Sequence, residues 1–348
     1  MSTIKFQNLF LYLFSITSLL FVLPNSTVAV PIGVCYGRVG NNLPPPPTVV
    51  KLLTSKGIKN VRIFDTDPET LKAFSGSGIS LMVGVPNEVL PFLANGNANN
   101  SLQWLESNIF AHIHHEQIKY IAVGNEVFLK DPFYTTYVVP AILNLYEALT
   151  MVNLGKTIKL SSPQAASVLL SSYPPSSAKF DPYVESSLVP LLQFLYDSRS
   201  PFMVNVYPYI SYVNNLKNVN INYALFKSKD HPMRDGDLTY TGLFDASIDS
   251  FVYAMEKEGF PGVKVVVSET GWPTAGGEGA SVENALIYNE EMVRKVVRDV
   301  GTPKRPKEML ETYLFDIFDE NQKSGQEYEK HFGLFGVNGN NVYNLSFN

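Results

Sequence analysis

"EGFPGVKVVVSE" (residues 258–269) is the stretch whose reading decides the fold. It leaves the end of a helical segment, passes through glycine, and enters a β-rich run that is almost wholly apolar until Glu269. Glycine takes the left-handed turn that closes a helix without a Cβ penalty. A continuous apolar run suits a strand buried on both faces. "SKGIKNVRIF" (55–64), "SGSGISLMVGV" (75–85) and "LGKTIKLSSP" (154–163) repeat the plan. Helical segments lie between them. Thr48 to Lys56 carries Val49, Val50, Leu52 and Leu53 and is followed by Gly57. Ser281 to Val300 carries Val282, Ala285, Leu286, Val293, Val296, Val297 and Val300 at a period near 3.6, with Gly301 and Pro303 as the expected stop.

Read straight through, the β-runs fall at 32–37, 59–64, 80–85, 118–126, 158–163, 202–207, 264–269 and 311–318. Eight such runs alternating with helices predict an α/β fold, a (β/α)8 TIM barrel. The competing architecture is a doubly wound sheet, which would usually carry a Gly-rich phosphate loop after its first strand. "GVCYGRVGNN" places glycines at 33, 37 and 40, which is not the dinucleotide spacing. Residues 30–348 read as a single catalytic domain. Within it, 209–242 is rich in Asn, Tyr, Lys and Asp with little periodicity, and is expected to be an elaborated loop or subdomain after strand 6. The run "LPPPPT" (43–48) reads as a stiff connection after the first strand rather than a domain boundary.

Residues 1–29 read as a secretory signal peptide: Lys5 precedes an apolar run from Leu9 to Leu23, and Thr27-Val28-Ala29 offers small residues for cleavage. An uncleaved membrane anchor is the alternative for that segment; no second long apolar run follows, so no membrane anchor is expected in the mature chain. Removing one Lys takes the formal charge from −5 to −6, an acidic balance that disfavours a nucleic-acid partner. With 45% hydrophobic and 17% charged residues, a disordered chain is excluded. The single cysteine, Cys35, excludes a disulfide framework, and its ordinary reading is a small buried hydrophobe. His112, His114 and His115 cluster near a helix end, where a solvated surface is the ordinary reading. No metal or other cofactor is expected. Asn99-Asn100-Ser101 and Asn344-Leu345-Ser346 are glycosylation sequons.

In barrels, chemistry sits at the C-terminal ends of the strands. Glu269 ends the seventh run, and "IKYIAVGNEV" (118–127) ends its strand on Asn125-Glu126. Either glutamate alone could cap a helix or pair with a cation. Two carboxylates on one face are what glycoside hydrolysis needs: one protonated to donate to the leaving oxygen, one ionised to attack the anomeric carbon.

"VVVSETGWPT" (265–274) resembles the signature of glycoside hydrolase family 17, the plant-type β-1,3-glucanases. "IGVCYGRVGNNLP" (32–44), "YIAVGNEV" (120–127), "NVYPY" (205–209), "LTYTGLFDA" (238–246), "ENQKSG" (320–325) and "FGLF" (332–335) are similar to family motifs in the same order, so the resemblance spans the mature chain. It implies Glu269 as nucleophile and Glu126 as general acid/base of a retaining reaction, with Asn125 bonding near the sugar 2-hydroxyl or the nucleophile. It also implies Glu320, Lys323 and Glu329 as a polar cluster beside the pair, although a solvated charged loop is the plain reading of that trio. Tyr36 and Tyr207 are the foremost sugar-stacking aromatics and Tyr209 and Phe318 the next; Trp272 reads as a packing anchor. Phe64 stands where many relatives have Tyr. Asp316 and Asp319 are further departures, which bear on subsite preference and pH profile.

The implied activity is a secreted endo-hydrolase of β-1,3-glucan, monomeric, in the extracellular space or cell wall, with vacuolar delivery as the second location. A β-1,3;1,4-glucanase or a transglycosylase of the same family remains open. So does a non-catalytic glucan-binding protein, against which the two intact glutamates argue.

Overall fold

A computed structural model describes residues 32–229 and 232–347; the expected signal peptide lies outside the described residues. In chain order the strands are β1 (Gly33–Tyr36), β2 (Asn60–Ile63), β3 (Ser80–Val85), β4 (Ile118–Val123), β5 (Lys159–Ser161), β6 (Gln164–Ala165), β7 (Leu169–Ser171), β8 (Lys179–Phe180), β9 (Phe202–Asn205), β10 (Met233–Asp235), β11 (Leu238–Tyr240), β12 (Val265–Thr270) and β13 (Thr312–Leu314). Nine of them form one sheet in the order β5-β4-β3-β2-β1-β13-β12-β9-β6, with neighbouring strands paired in parallel. The two ends of that order, β5 and β6, are pieces of one run interrupted at Ser162 and Pro163. The sheet therefore returns on itself through this break, and with its surrounding helices it is the expected (β/α)8 architecture. All eight expected β-runs contribute.

The continuous apolar runs are explained by burial on two sides. Val265, Val266 and Val267 are at most 5% exposed, and Leu81, Met82 and Val83 are fully buried. Each such aliphatic side chain contributes roughly 1.5–3 kcal/mol. Gly57 (φ 72°) and Gly259 (φ 88°) close the helices Pro46–Ser55 and Leu243–Lys257 in the left-handed region. The third repeat closes differently: Asn153 (φ 60°) takes the left-handed position two residues before Gly155.

Helix Val282–Val297 starts where expected, with Ser281 Oγ accepting the Asn284 N–H at 3.1 Å. Its end and its buried face differ from expectation. Asp299 (φ 54°), not Gly301, is the left-handed residue. Ala285, Tyr288, Asn289, Met292 and Val293 face inward, while Val282, Val297 and Val300 are exposed. The helix turns its valine edge to solvent because Tyr288 and Asn289 have buried polar partners, Thr270 Oγ1 and Tyr343 Oη.

After β9 the chain forms helices Pro208–Val213 and Ile221–Ala224 and the antiparallel hairpin β10–β11. Asp235 of that hairpin accepts the Ser176 N–H at 2.7 Å, joining it to the loops that follow β6.

Candidate active site

Glu269 is the fifth residue of β12 and pairs in register with Asn205 of β9. The ladder slips between Val267 and Glu269. A slip of this kind re-aims side chains: Ser268 Oγ donates to Asn205 Oδ1 at 2.7 Å, and Glu269 Oε1 accepts from Asn205 Nδ2 at 2.9 Å. Consecutive residues thus both reach one asparagine.

Glu126 is reached by a turn rather than by the strand expected through residue 126. β4 ends at Val123, and Gly124 (φ 72°) and Glu126 (φ 51°) are both left-handed. A non-glycine residue there carries strain of order 1 kcal/mol or more, and the surroundings hold it. The Glu126 N–H donates to Pro163 O at 2.8 Å, using a carbonyl at the β5–β6 break. The Asn125 N–H donates to Asn87 Oδ1 at 2.8 Å, and Asn87 Nδ2 returns a bond to Asn125 O at 3.2 Å.

The two carboxylates share a donor. Asn205 Nδ2 lies 3.1 Å from Glu126 Oε1 and 2.9 Å from Glu269 Oε1, so those oxygens are separated by no more than the sum, 6.0 Å. Arg62 organises the group from β2. Its Nη1 is 2.8 Å from Glu269 Oε1 and donates at 3.1 Å to both Asn205 Oδ1 and Ser268 O, while Nη2 donates to Asn125 Oδ1 at 2.7 Å. The guanidinium lies over the Phe64 ring, 4.5 Å from its centroid. Tyr207 Oη donates to Glu269 Oε2 at 2.7 Å. Lys130 Nζ pairs with Glu126 Oε2 at 2.6 Å.

The electrostatics differ across the pair. Burial pushes the Glu269 carboxyl up; Arg62 pulls it down, Glu126 pushes it up, and the Tyr207 bond and Lys323 pull it down, leaving it above its ordinary value. The short contact to Arg62 limits the rise without cancelling it. Burial lowers the Lys130 ammonium, but Glu126 and then Glu269 and Glu329 lift it above its usual value. Burial and the Glu269 carboxylate push the Tyr207 phenol well above its usual range, so it is a donor throughout neutral pH.

The remaining expected residues fall into three groups. Glu320 Oε2 pairs with Lys323 Nζ at 2.7 Å, and Lys323 sits over the Phe315 ring at 4.2 Å. Glu329, half-buried on the short helix Glu327–Lys330, stands in the field of Lys323, Lys130, Glu126 and Glu320. Phe64, Arg62 and Asn125 line an open cavity of about 390 Å³ that also includes Asp65, Glu88 and Asp131. The stacking expectations need revision. Tyr36 is 2% exposed and packs on Phe74, while Tyr209 and Phe318 are at most 1% exposed, so their rings offer no open face to a sugar. Tyr207 packs edge-on to Phe315 and Phe332 and uses its hydroxyl instead. Trp272 is fully buried and donates Nε1–H to Gly279 O at 2.9 Å, as a packing anchor should.

Arg62, Asn205 and Lys130 are site residues that sequence reasoning missed. Arg62 is the lone cation inside the buried run "NVRIF", and a charge there needs a partner. Asn205 opens the motif "NVYPY", and Lys130 stands four residues after Glu126. Among the described residues, no group of His, Cys, Asp or Glu could hold a metal ion.

A barrel that joins two glutamates at its strand ends through one asparagine, with an arginine on one of them, defines a class of protein: a hydrolase of glycosidic bonds. Residues 32–347 match the model of glycosyl hydrolases family 17, and the chain belongs to that family. It is 43% identical to a glucan endo-1,3-beta-glucosidase of Vitis vinifera over 91% of each chain. It is 40% identical to the acidic isoform GL161 of the same enzyme from Nicotiana tabacum, over 91% of this chain and 94% of that one. Among solved structures it resembles CJP38, a beta-1,3-glucanase and allergen of Cryptomeria japonica pollen (TM-score 0.87, 43% identity, 91% of this chain and 99% of that one). It also resembles a plant beta-glucan endohydrolase (TM-score 0.84, 39% identity, 90% of this chain and all of that one).

Proposed function

We propose that the protein is a secreted, retaining endo-hydrolase of β-1,3-glucan that works by double displacement. The observation that carries the mechanism is the Asn205 bridge. It holds one oxygen of each carboxylate within 6.0 Å of the other's, which supports the close pair of a retaining enzyme, with carboxyl groups roughly 5–5.5 Å apart, over the roughly 6.5–9.5 Å of an inverting one. Glu269, ionised and oriented by Arg62, Tyr207 and Asn205, attacks the anomeric carbon. Glu126 gives its proton to the departing glycosidic oxygen. In the second half Glu126 takes a proton from water as that water displaces Glu269 from the sugar. Asn125 Oδ1 is occupied by Arg62 and Asn205, which leaves its amide nitrogen for a sugar hydroxyl.

The substrate linkage is supported by the names of the relatives, which are glucan endo-1,3-beta-glucosidases over nearly the whole chain. Secretion is supported by the composition of residues 1–29; residues 30–348 act as one catalytic domain, and the protein works as a monomer. Proton NMR of a linear β-1,3-glucan digest tests the mechanism. The first reducing ends should appear in the β configuration and later equilibrate; initial α products would overturn the retaining reading.

A further inference from the structure

Behind the catalytic pair lies a second pair of acids that the double displacement does not use. Asp316, two residues past β13, is fully buried, and Glu320 is 2% exposed. Both Asp316 oxygens accept the Gly37 N–H, at 3.0 and 3.1 Å, and Oδ1 also accepts the Ile317 N–H at 2.6 Å. Glu320 Oε1 accepts the Val39 N–H at 2.8 Å, and its other oxygen pairs with Lys323 at 2.7 Å. The loop after β1 is thus fastened to the segment after β13 by two carboxyl groups. They crowd one face of Gly37: Asp316 Oδ2 and Glu320 Oε1 both stand in the space a Cβ there would occupy.

The charges around them do not balance two carboxylates. Lys323 pairs with Glu320, and among the described residues Asp316 makes no ion pair. The other groups facing Asp316 are the Tyr36 phenol, the Cys35 thiol and Gly37 on the β1 side, and Lys323 beyond Glu320. Arg38 on the same loop is committed to Asp67 at 2.9 Å, and Glu269 adds a further negative charge beside Cys35. Two buried carboxyls crowded on one face of Gly37, with a single ammonium on the far side of Glu320, do not readily both ionise. Burial, and then the Glu320 carboxylate, push Asp316 well above the ordinary carboxylate range.

We propose that Asp316 and Glu320 form a proton-sharing clamp: one proton between them keeps the loop Gly37–Val39 docked on Asp316–Lys323 and holds the Lys323 ammonium at the mouth of the site. Loss of that proton to solvent leaves two repelling carboxylates, loosens the loop and weakens substrate binding. Asp316 is a positioning residue in this scheme, and the proposal rests on the reading of this face as the glucan cleft.

The test is Asp316→Asn, which keeps the shape and an N–H toward Glu320 but has no proton to lose. On linear β-1,3-glucan, KM of the wild type should rise at least about fivefold between pH about 5 and about 9, with a smaller change in kcat. KM of D316N should stay flat across that range. Parallel rises in both proteins would overturn the clamp. An infrared pH titration decides it without activity. The wild type should show the carbonyl band of a buried protonated carboxyl at neutral pH, missing from D316N; in Glu320→Gln, which removes the second carboxylate but not the burial, the pH at which the band disappears should fall. A band unchanged in either variant, or no band in the wild type, would overturn the proposal even if the protein cleaves no glucan.

Discussion

Replacing Arg62 by methionine should leave Glu269 as an unpaired buried charge. The pair is 2.8 Å apart with side chains 1% and 8% exposed, so solvent screens it little. At an effective dielectric of about 20 the attraction is about 6 kcal/mol. Desolvation of both ions offsets part of this, and deleting one partner of such a pair typically costs about 3–5 kcal/mol. The cost depends on pH. Glu269 already titrates above its ordinary value, because burial and Glu126 outweigh Arg62, the Tyr207 bond and Lys323. A carboxyl raised on folding stabilises the fold below its unfolded pKa, and that contribution is lost as pH rises through the folded value. Without Arg62 the folded value climbs further, so the R62M deficit should be small in acid, where Glu269 is protonated, and should approach the full cost at neutral pH. Adding Glu269→Gln should restore most of the neutral-pH stability, because it removes the stranded charge. The assay is urea denaturation of wild type, R62M, E269Q and R62M/E269Q at an acid and a neutral pH, read with the acid limb of kcat/KM, which should move to higher pH in R62M. A loss under about 1 kcal/mol at neutral pH, or an equal loss at both pH values with no rescue by E269Q, would refute the reasoning.

Three further expectations can be checked with standard kinetics and melting. Glu269→Gln should abolish turnover with little change in fold, and Glu126→Gln should abolish cleavage of polysaccharide while sparing part of the activity on activated aryl glycosides, which need less protonation; near wild-type polysaccharide hydrolysis by either would remove that residue from its role. Tyr207→Phe deletes the 2.7 Å bond to Glu269 Oε2; a bond to a charged group is worth about 1.5–3 kcal/mol, so kcat/KM should fall roughly 10- to 150-fold. Asp249 is fully buried, and burial raises its carboxyl to about 6, against the bonds it accepts. The folded state therefore binds the extra proton between the unfolded value and about 6, and wild-type stability falls as pH rises through that window. Asp249→Asn should match wild type in acid melts and gain of order 3 kcal/mol by neutral pH; equal melting curves at both would contradict it.

Much of the fold was legible because burial on both faces writes strands as unbroken apolar runs, and Glu269 stood out as the charge that ends one of them. What the sequence hid was side-chain direction. Arg62 lies more than two hundred residues from Glu269, and only closure of the sheet brings them together. Tyr207 read as a sugar platform, yet Phe315 and Phe332 hold its ring edge-on so that only its hydroxyl reaches the site. The left-handed turn at Glu126 had Gly124 as its one local signal. On helix Val282–Val297, polar Asn289 is buried ahead of the valines, its Nδ2 donating to Tyr343 Oη at 2.6 Å, a partner that periodicity cannot see.

The central claim is tested most directly by reducing-sugar release from a linear β-1,3-glucan and from a mixed-linkage β-1,3;1,4-glucan in parallel, with Glu269→Gln as the blank. Rapid formation of short oligomers from the first, none from the blank and little from the second is the predicted result. Preference for the mixed-linkage polymer would keep the mechanism and change the substrate. No release from either, with glucan still bound, would contradict the account and make the protein a binder on a hydrolase scaffold.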